Sequence, residues 1–300
     1  MTSEVGNSME LITPDEKYAN EITVYNSTSE IRSPGRLIGE IARGFYEGRE
    51  LSWRLFLRNL RGLYRQTLLG LFWAFLPPIA NTAMWMFLKK TGAFRMEGTN
   101  VDALVYILTG MILWEGFIDA FQMPMNALNK NKNMLSRLNF PRESLLAVGL
   151  GEVVFNLAIR LLLLIPTFWW FQVELHWTLA LAPLAIGGLV LFGMALGLLI
   201  MPIGTLYQDV GQFISLALPF WMIVTPIIYV PWTTLPGSLL NWVNPAAPLL
   251  IAGRDLLLVG AGSPHLMMGW VFLAATLPLL LLGLVIYRVS LPVLIERMQA

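Results

Sequence analysis

The sequence predicts an all-α integral membrane protein with six transmembrane helices, an N-terminal interfacial amphipathic helix and a re-entrant helical hairpin between the fifth and sixth spans. Three observations carry that expectation. The 300 residues are 56% hydrophobic and 13% charged, with a mean hydropathy of +0.63. A soluble globular protein carries about 25% charged residues, so much of this surface faces something other than water. Six apolar stretches are long enough for a helix to cross the ~30 Å hydrocarbon layer, which takes about 20 residues. Lys and Arg gather in one set of connecting segments.

Residues 1–44 are polar and irregular, with no apolar core region, and read as a cytoplasmic, largely disordered tail without a cleavable signal. Residues 45–66 form the expected interfacial helix. At roughly 100° per residue, Arg54, Arg58, Arg61 and Arg65 fall within an arc of about 60°. Trp53, Phe56, Leu57, Leu60, Leu63 and Tyr64 occupy a separate arc of about 120°. Such a helix lies with its aromatic side in the acyl boundary and its arginines toward phosphates or cytosol.

Residues 67–300 form the transmembrane domain. The spans fall near Thr67–Leu88, Asp102–Ala127, Ser144–Phe171, Thr178–Leu206, Val210–Val230 and Leu266–Arg288. Pro77-Pro78 predicts a kink early in the first, because two backbone donors are missing. Gly193 and Gly197 in the fourth make a small-xxx-small face, for internal packing or for a dimer. Residues 231–264 are apolar but broken by Pro236, Gly237, Pro245, Pro248 and Gly253. Each half is too short to cross, so a re-entrant hairpin fits better.

Orientation follows the positive charge. With the N-terminus inside, the cytoplasmic side holds Arg43, Arg49, Arg54, Arg58, Arg61, Arg65, Lys130, Lys132, Arg137, Arg142, Arg288 and Arg297. The outside keeps Lys89, Lys90, Arg95 and Arg254. Both termini are then cytoplasmic, and so is the polar segment 129–143. That segment is longer than a simple turn requires and ends on Asn139-Phe140-Pro141-Arg142-Glu143, which suits a docking element for a soluble partner.

Composition also excludes chemistry. There is no cysteine, so disulfides, thiolate metal sites and Cys nucleophiles are ruled out. A net charge of +1 argues against nucleic-acid binding. No G-x-x-x-x-G-K-[ST] phosphate loop occurs, so the chain does not hydrolyse ATP by that route.

The succession RELSWRLFLRNLRGLYRQTLLGLFWAFLPP, LTGMILWEGF, NKNMLSRLNFPRE, LYQDVGQ, TPIIYVP and WVNPAAPLLIAGRDLLL resembles the type-2 ABC transporter permeases. More narrowly, it is similar to bacterial polysaccharide and polyol-phosphate exporters for O-antigen, capsule or teichoic acid. The likeness runs from about Phe45 to the C-terminus. It departs at Gln208-Asp209, where Arg-Asp is common in the family.

The resemblance implies a homodimer in the bacterial inner membrane, working with two separate ATP-binding subunits on a lipid-linked polysaccharide. It implies no cofactor or metal on this chain, with ATP and Mg held by the partner. The ATPase-coupling element is then 129–143, with Leu138, Asn139, Phe140, Pro141, Arg142 and Glu143 on the matching motif. The interfacial helix and the outer gate hairpin, 231–264, also have counterparts in the family.

A sugar polymer has apolar ring faces and many hydroxyls, so its conduit should offer aromatic platforms and scattered polar groups. Candidates are Trp73, Trp114, Glu115, Asp119, Trp221 and Tyr229. Trp and Tyr are equally expected in an interfacial belt. Charges inside spans are costly unless paired or hydrated, so Glu115, Asp119, Glu152 and Arg160 either tie helices together as ion pairs or line a wet surface.

Other readings compete. A type-2 permease for another lipid or amphiphile has the same layout. A multi-pass glycosyl or acyl transferase would need a catalytic cluster, and His176, His265 and Glu174 do not form one by spacing. A secondary transporter often has two related halves, which are not visible here.

Overall fold

The computed structural model describes residues 34–65, 70–93, 101–131, 135, 141–232, 234 and 237–299. They are overwhelmingly helical, with no strand among them. In chain order the helices are α1 (Pro34–Glu47), α2 (Arg49–Arg65), α3 (Leu76–Lys90), α4 (Ala103–Lys130), α5 (Glu143–Leu161), α6 (Leu164–Trp170), α7 (Ala182–Leu206), α8 (Gln208–Val224), α9 (Gly237–Val243), α10 (Ala247–Leu258) and α11 (Leu266–Gln299).

Among the described residues, four segments are long and apolar enough to cross a membrane: Ala103–Lys130, Glu143–Trp170, Ala182–Leu206 and Leu266–Arg297. They match the expected second, third, fourth and sixth spans. The expected first and fifth are shorter helices, 15 residues in α3 and 17 in α8.

Proline sets most of these boundaries. Pro77 and Pro78 do not kink a running helix; they sit in the first turn of α3, where amides have no intrahelical acceptor to lose. Pro166 separates α5 from α6, since it cannot donate to the Leu162 carbonyl. That carbonyl accepts from Ile165 N at 3.2 Å instead. α8 stops at Thr225, whose extended backbone (φ −83°, ψ 134°) is what a following Pro226 demands.

Among the described residues, α1 covers Pro34–Glu47. Composition averages over a face that spacing reveals: Gly44, Gly48 and Ser52 recur every fourth residue and lie against the start of α5. A Cβ at Gly44 would stand 2.5 Å from Glu143 Oε2, and one at Gly48 would collide with Ser144 Oγ.

α4 is the centre of the core, with Ile107, Met111, Ile112, Leu113 and Phe117 without exposed surface. α7 crosses it closely because Gly193 and Gly197 admit the α4 backbone. A Cβ at Gly193 would lie 2.8 Å from the Phe117 carbonyl oxygen, and at Gly197 it would overlap that of Phe121. α11 packs on α7 through Gly283, and α10 is buried along its whole length. α3 and α8 are looser. The buried residues of α3 are Pro78 and Thr82, while α8 exposes Phe213, Leu216, Phe220, Ile223 and Val224.

Candidate functional site

The expected coupling element joins α4 to α5. Leu138, Asn139 and Phe140 lie outside the described residues, whereas Pro141, Arg142 and Glu143 lead into α5. What grips this corner is well defined. Tyr287 of α11 is 2% exposed and donates its hydroxyl to the Arg142 carbonyl at 2.9 Å. The neighbouring Arg288 reaches Glu40 of α1 at 2.9 Å and Glu143 at 3.5 Å. Ser52 of α2 donates to the Ser144 carbonyl at 3.3 Å and, more closely, to that of Gly48 at 2.8 Å. Movement of the corner therefore pulls on α1, α2 and α11 together. Sequence reasoning missed Tyr287, Glu40 and the glycines, and read Arg288 as a topology charge. The Gly44, Gly48, Ser52 spacing was the available signal.

Along α4, Glu115, Asp119, Gln122, Asn126 and Lys130 recur at three or four residues and form one polar stripe. Glu152, Asn156 and Arg160 of α5 form its counterpart. At the deep end Arg160 Nη1 meets Asp119 Oδ2 at 2.6 Å, and its Nε lies 3.5 Å from Glu115 Oε2. Asn81 of α3 donates to Glu115 at 3.4 Å. Of the two readings for Glu115 and Asp119, the pairing with Arg160 is thus present in the chain. At the other end Lys130 Nζ is 3.6 Å from Glu152 Oε2, and Asn59 of α2 donates to Glu152 Oε1 at 2.6 Å. Between the two ends lies a cavity of ≈ 240 Å³.

The aromatic candidates scatter. Trp114 is 2% exposed and packs in the core with Phe117, Phe121 and Trp221. The Trp221 indole donates to Asn244 Oδ1 at 2.8 Å, and the Asn244 amide donates to Thr225 Oγ1 at 2.9 Å. Tyr229 pairs with Trp232 at 5.0 Å between ring centres. Trp73 stands apart, half exposed in the 3-10 turn before α3. On α2, Arg54 pairs with Glu50 at 2.6 Å, Arg58 reaches Asn59 at 3.3 Å and Arg61 is exposed. The Arg65 side chain lies outside the description.

α9 and α10 occupy the segment expected to form the hairpin, broken at Asn244-Pro245. Arg254 of α10 is fully buried. It donates to the Pro226 carbonyl at 2.7 Å and stacks 3.8 Å from the centre of the Tyr106 ring. It therefore pins α10 to the turn after α8. Ser263 donates to Asp255 at 2.5 Å. Burial pushes the His265 imidazole pKa down, with Asp255 opposing.

Residues 50–258 match the ABC-2 type transporter family, from the start of α2 to the end of α10. The chain belongs to the ABC-2 type transporter family. Its membrane subunits are transport components, not ATPases, and several long apolar helices make the chain a multi-pass membrane protein. It is similar to the O-antigen export system permease protein RfbA of Myxococcus xanthus, 25% identical over 218 residues, covering 70% of this chain and 81% of the relative. The protein of the same name from Klebsiella pneumoniae is 22% identical over 208 residues, covering 68% and 78%.

Proposed function

We propose that this chain is the transmembrane permease subunit of an ATP-driven exporter that moves a lipid-linked polysaccharide across the bacterial inner membrane. The observation that carries the reading is its similarity to two O-antigen export permeases over roughly 70% of its length. Two copies work with two separate ATP-binding subunits, which hold the ATP and Mg. Six segments span the bilayer, α3 and α8 being the short first and fifth, with both termini cytoplasmic. α2 lies in the interface, and α9 with α10 re-enters from the outer side as a gate.

Closure of the ATP-binding subunits pushes residues 129–143, where Leu138, Asn139, Phe140, Pro141, Arg142 and Glu143 form the contact. The push reaches α1, α2 and α11 through Glu143, Ser144, Tyr287 and Arg288. α3 and α8, whose buried residues are Pro78 and Thr82 in one and Ile214 and Leu218 in the other, tilt and open a path between protomers. Trp73, half exposed, and the Tyr229–Trp232 pair then meet sugar rings along that path.

The test is a strain lacking this gene, scored for surface polymer and for copurification of an ATPase with the tagged chain. Restored polymer and a copurified ATPase are expected. The Phe140→Ala, Arg142→Ala double variant should keep ATPase activity in the purified complex while losing export. Full export by that variant, or a permease that functions with no nucleotide-hydrolysing partner, would overturn the proposal.

A further inference from the structure

The cavity between the two ends of the polar seam is not accounted for by the coupling corner or by the exposed aromatics. It is walled by α2, α4 and α5, and its polar lining includes Asn59, Gln122, Asn126, Lys130, Glu152 and Asn156. We propose that it seats the headgroup of a zwitterionic phospholipid carrying a primary ammonium, a phosphoethanolamine lipid. The inference rests on the interfacial placement of α2 proposed above, which brings the cavity to headgroup depth.

Charge complementarity selects the ligand. Lys130 and Glu152 stand side by side at 3.6 Å, longer than a direct hydrogen bond, so each keeps capacity for a second partner. A headgroup that carries phosphate and ammonium a few bonds apart matches that arrangement, phosphate on Lys130 and ammonium on Glu152. Asn59 holds the Glu152 carboxylate by its other oxygen at 2.6 Å, which fixes the acceptor in place. Gln122 and Asn126, on successive turns of α4, present amide N–H groups to phosphate oxygens.

An anionic headgroup without the ammonium would face Glu152 uncompensated. Asp119, the other carboxylate in the lining, is already held by Arg160 at 2.6 Å.

The test is native mass spectrometry of the purified full chain equilibrated with phosphatidylethanolamine, phosphatidylglycerol or phosphatidylcholine. Phosphatidylethanolamine should be retained about tenfold over the others, the scale of one charge-assisted hydrogen bond. Glu152→Gln and, separately, Asn126→Leu should each reduce its retention. Asn126 is exposed, so that variant keeps the test valid should Glu152→Gln fold poorly.

A spin label at Trp53→Cys, specific because the chain has no cysteine, reports the depth of α2 by power saturation. A label at headgroup depth with equal retention of all three lipids overturns the headgroup site and leaves the interfacial placement standing. Equal retention of the ethanolamine and choline lipids overturns the ammonium contact with Glu152. A label in bulk water overturns the placement and the site with it.

Discussion

α4 and α8 are both apolar helices, yet they occupy opposite physical situations. In the most apolar stretch of α4, 78% of the residues are buried inside the protein, and its neighbours approach to backbone distance through glycine. α8 keeps Ile214 and Leu218 buried but turns Phe213, Leu216 and Phe220 outward, each about 70% exposed. Hydropathy alone does not separate a helix that is core from one that coats it. The difference shows which parts can shift at low cost. Moving α4 disrupts the packing of α7 and α10, whereas moving α8 slides an exposed apolar surface that no other helix covers closely.

The largest effect that would expose this difference comes from the ion cluster on the α4 side. Arg160→Ala leaves Glu115 and Asp119 without their cation inside a candidate span and should destabilise the protein by about 3–5 kcal/mol. Thermal unfolding in detergent reads the loss. A triple change, Arg160→Met with Glu115→Gln and Asp119→Asn, should recover most of it, and no recovery would mean the cluster does more than balance charge.

Next in size is a matched pair of glycine substitutions. Gly197→Val forces a side chain onto the Phe121 carbonyl and should cost about 3 kcal/mol, whereas Gly211→Val on α8 has open space around it and should change stability by about 1 kcal/mol at most. Equal melting temperatures for the two would erase the distinction between core and coat.

Smaller again is Tyr287→Phe, which removes the hydroxyl bond to Arg142 and should cost about 1 kcal/mol. Its sharper readout is the ratio of export to ATP hydrolysis, which should fall if α11 steadies the coupling corner. The smallest effect on the protomer is Phe213→Ser with Leu216→Ser. Surface changes of this sort shift folding stability by about 0.5 kcal/mol, while self-association measured by sedimentation should weaken visibly.

The parts of this architecture most readable from sequence were those fixed by composition over a long window. The runs that became α4, α7 and α11 and the polar break at 129–143 are strong because lipid and water price residues so differently. The proline punctuation was readable as a break but not as to kind. Pro77-Pro78 reads as a kink within a span, whereas it sits in the first turn of α3.

The site was readable in types and not in partners. Glu115, Asp119 and Arg160 were recognisable as costly charges, yet that Arg160 would bridge both depends on how α4 and α5 are rotated. Trp114 and Trp221 look like platforms for a sugar and instead pack together in the core, because an indole's apolar bulk suits either place. Nothing local marked the partners of Tyr287 and Arg288, which lie 145 residues away at Arg142 and Glu143 and 248 away at Glu40.

In the proposed cycle, nucleotide use by a partner moves α3 and α8 over a stationary core. The most direct measurement places one spin label at Ser215→Cys on α8 and another at Val154→Cys on α5, in the cysteine-free chain assembled with its ATP-binding subunits. Pulsed-dipolar distances between the labels should change between the nucleotide-free and ATP-trapped states and return after hydrolysis. An unchanged distribution through a cycle that still exports polymer would contradict the account.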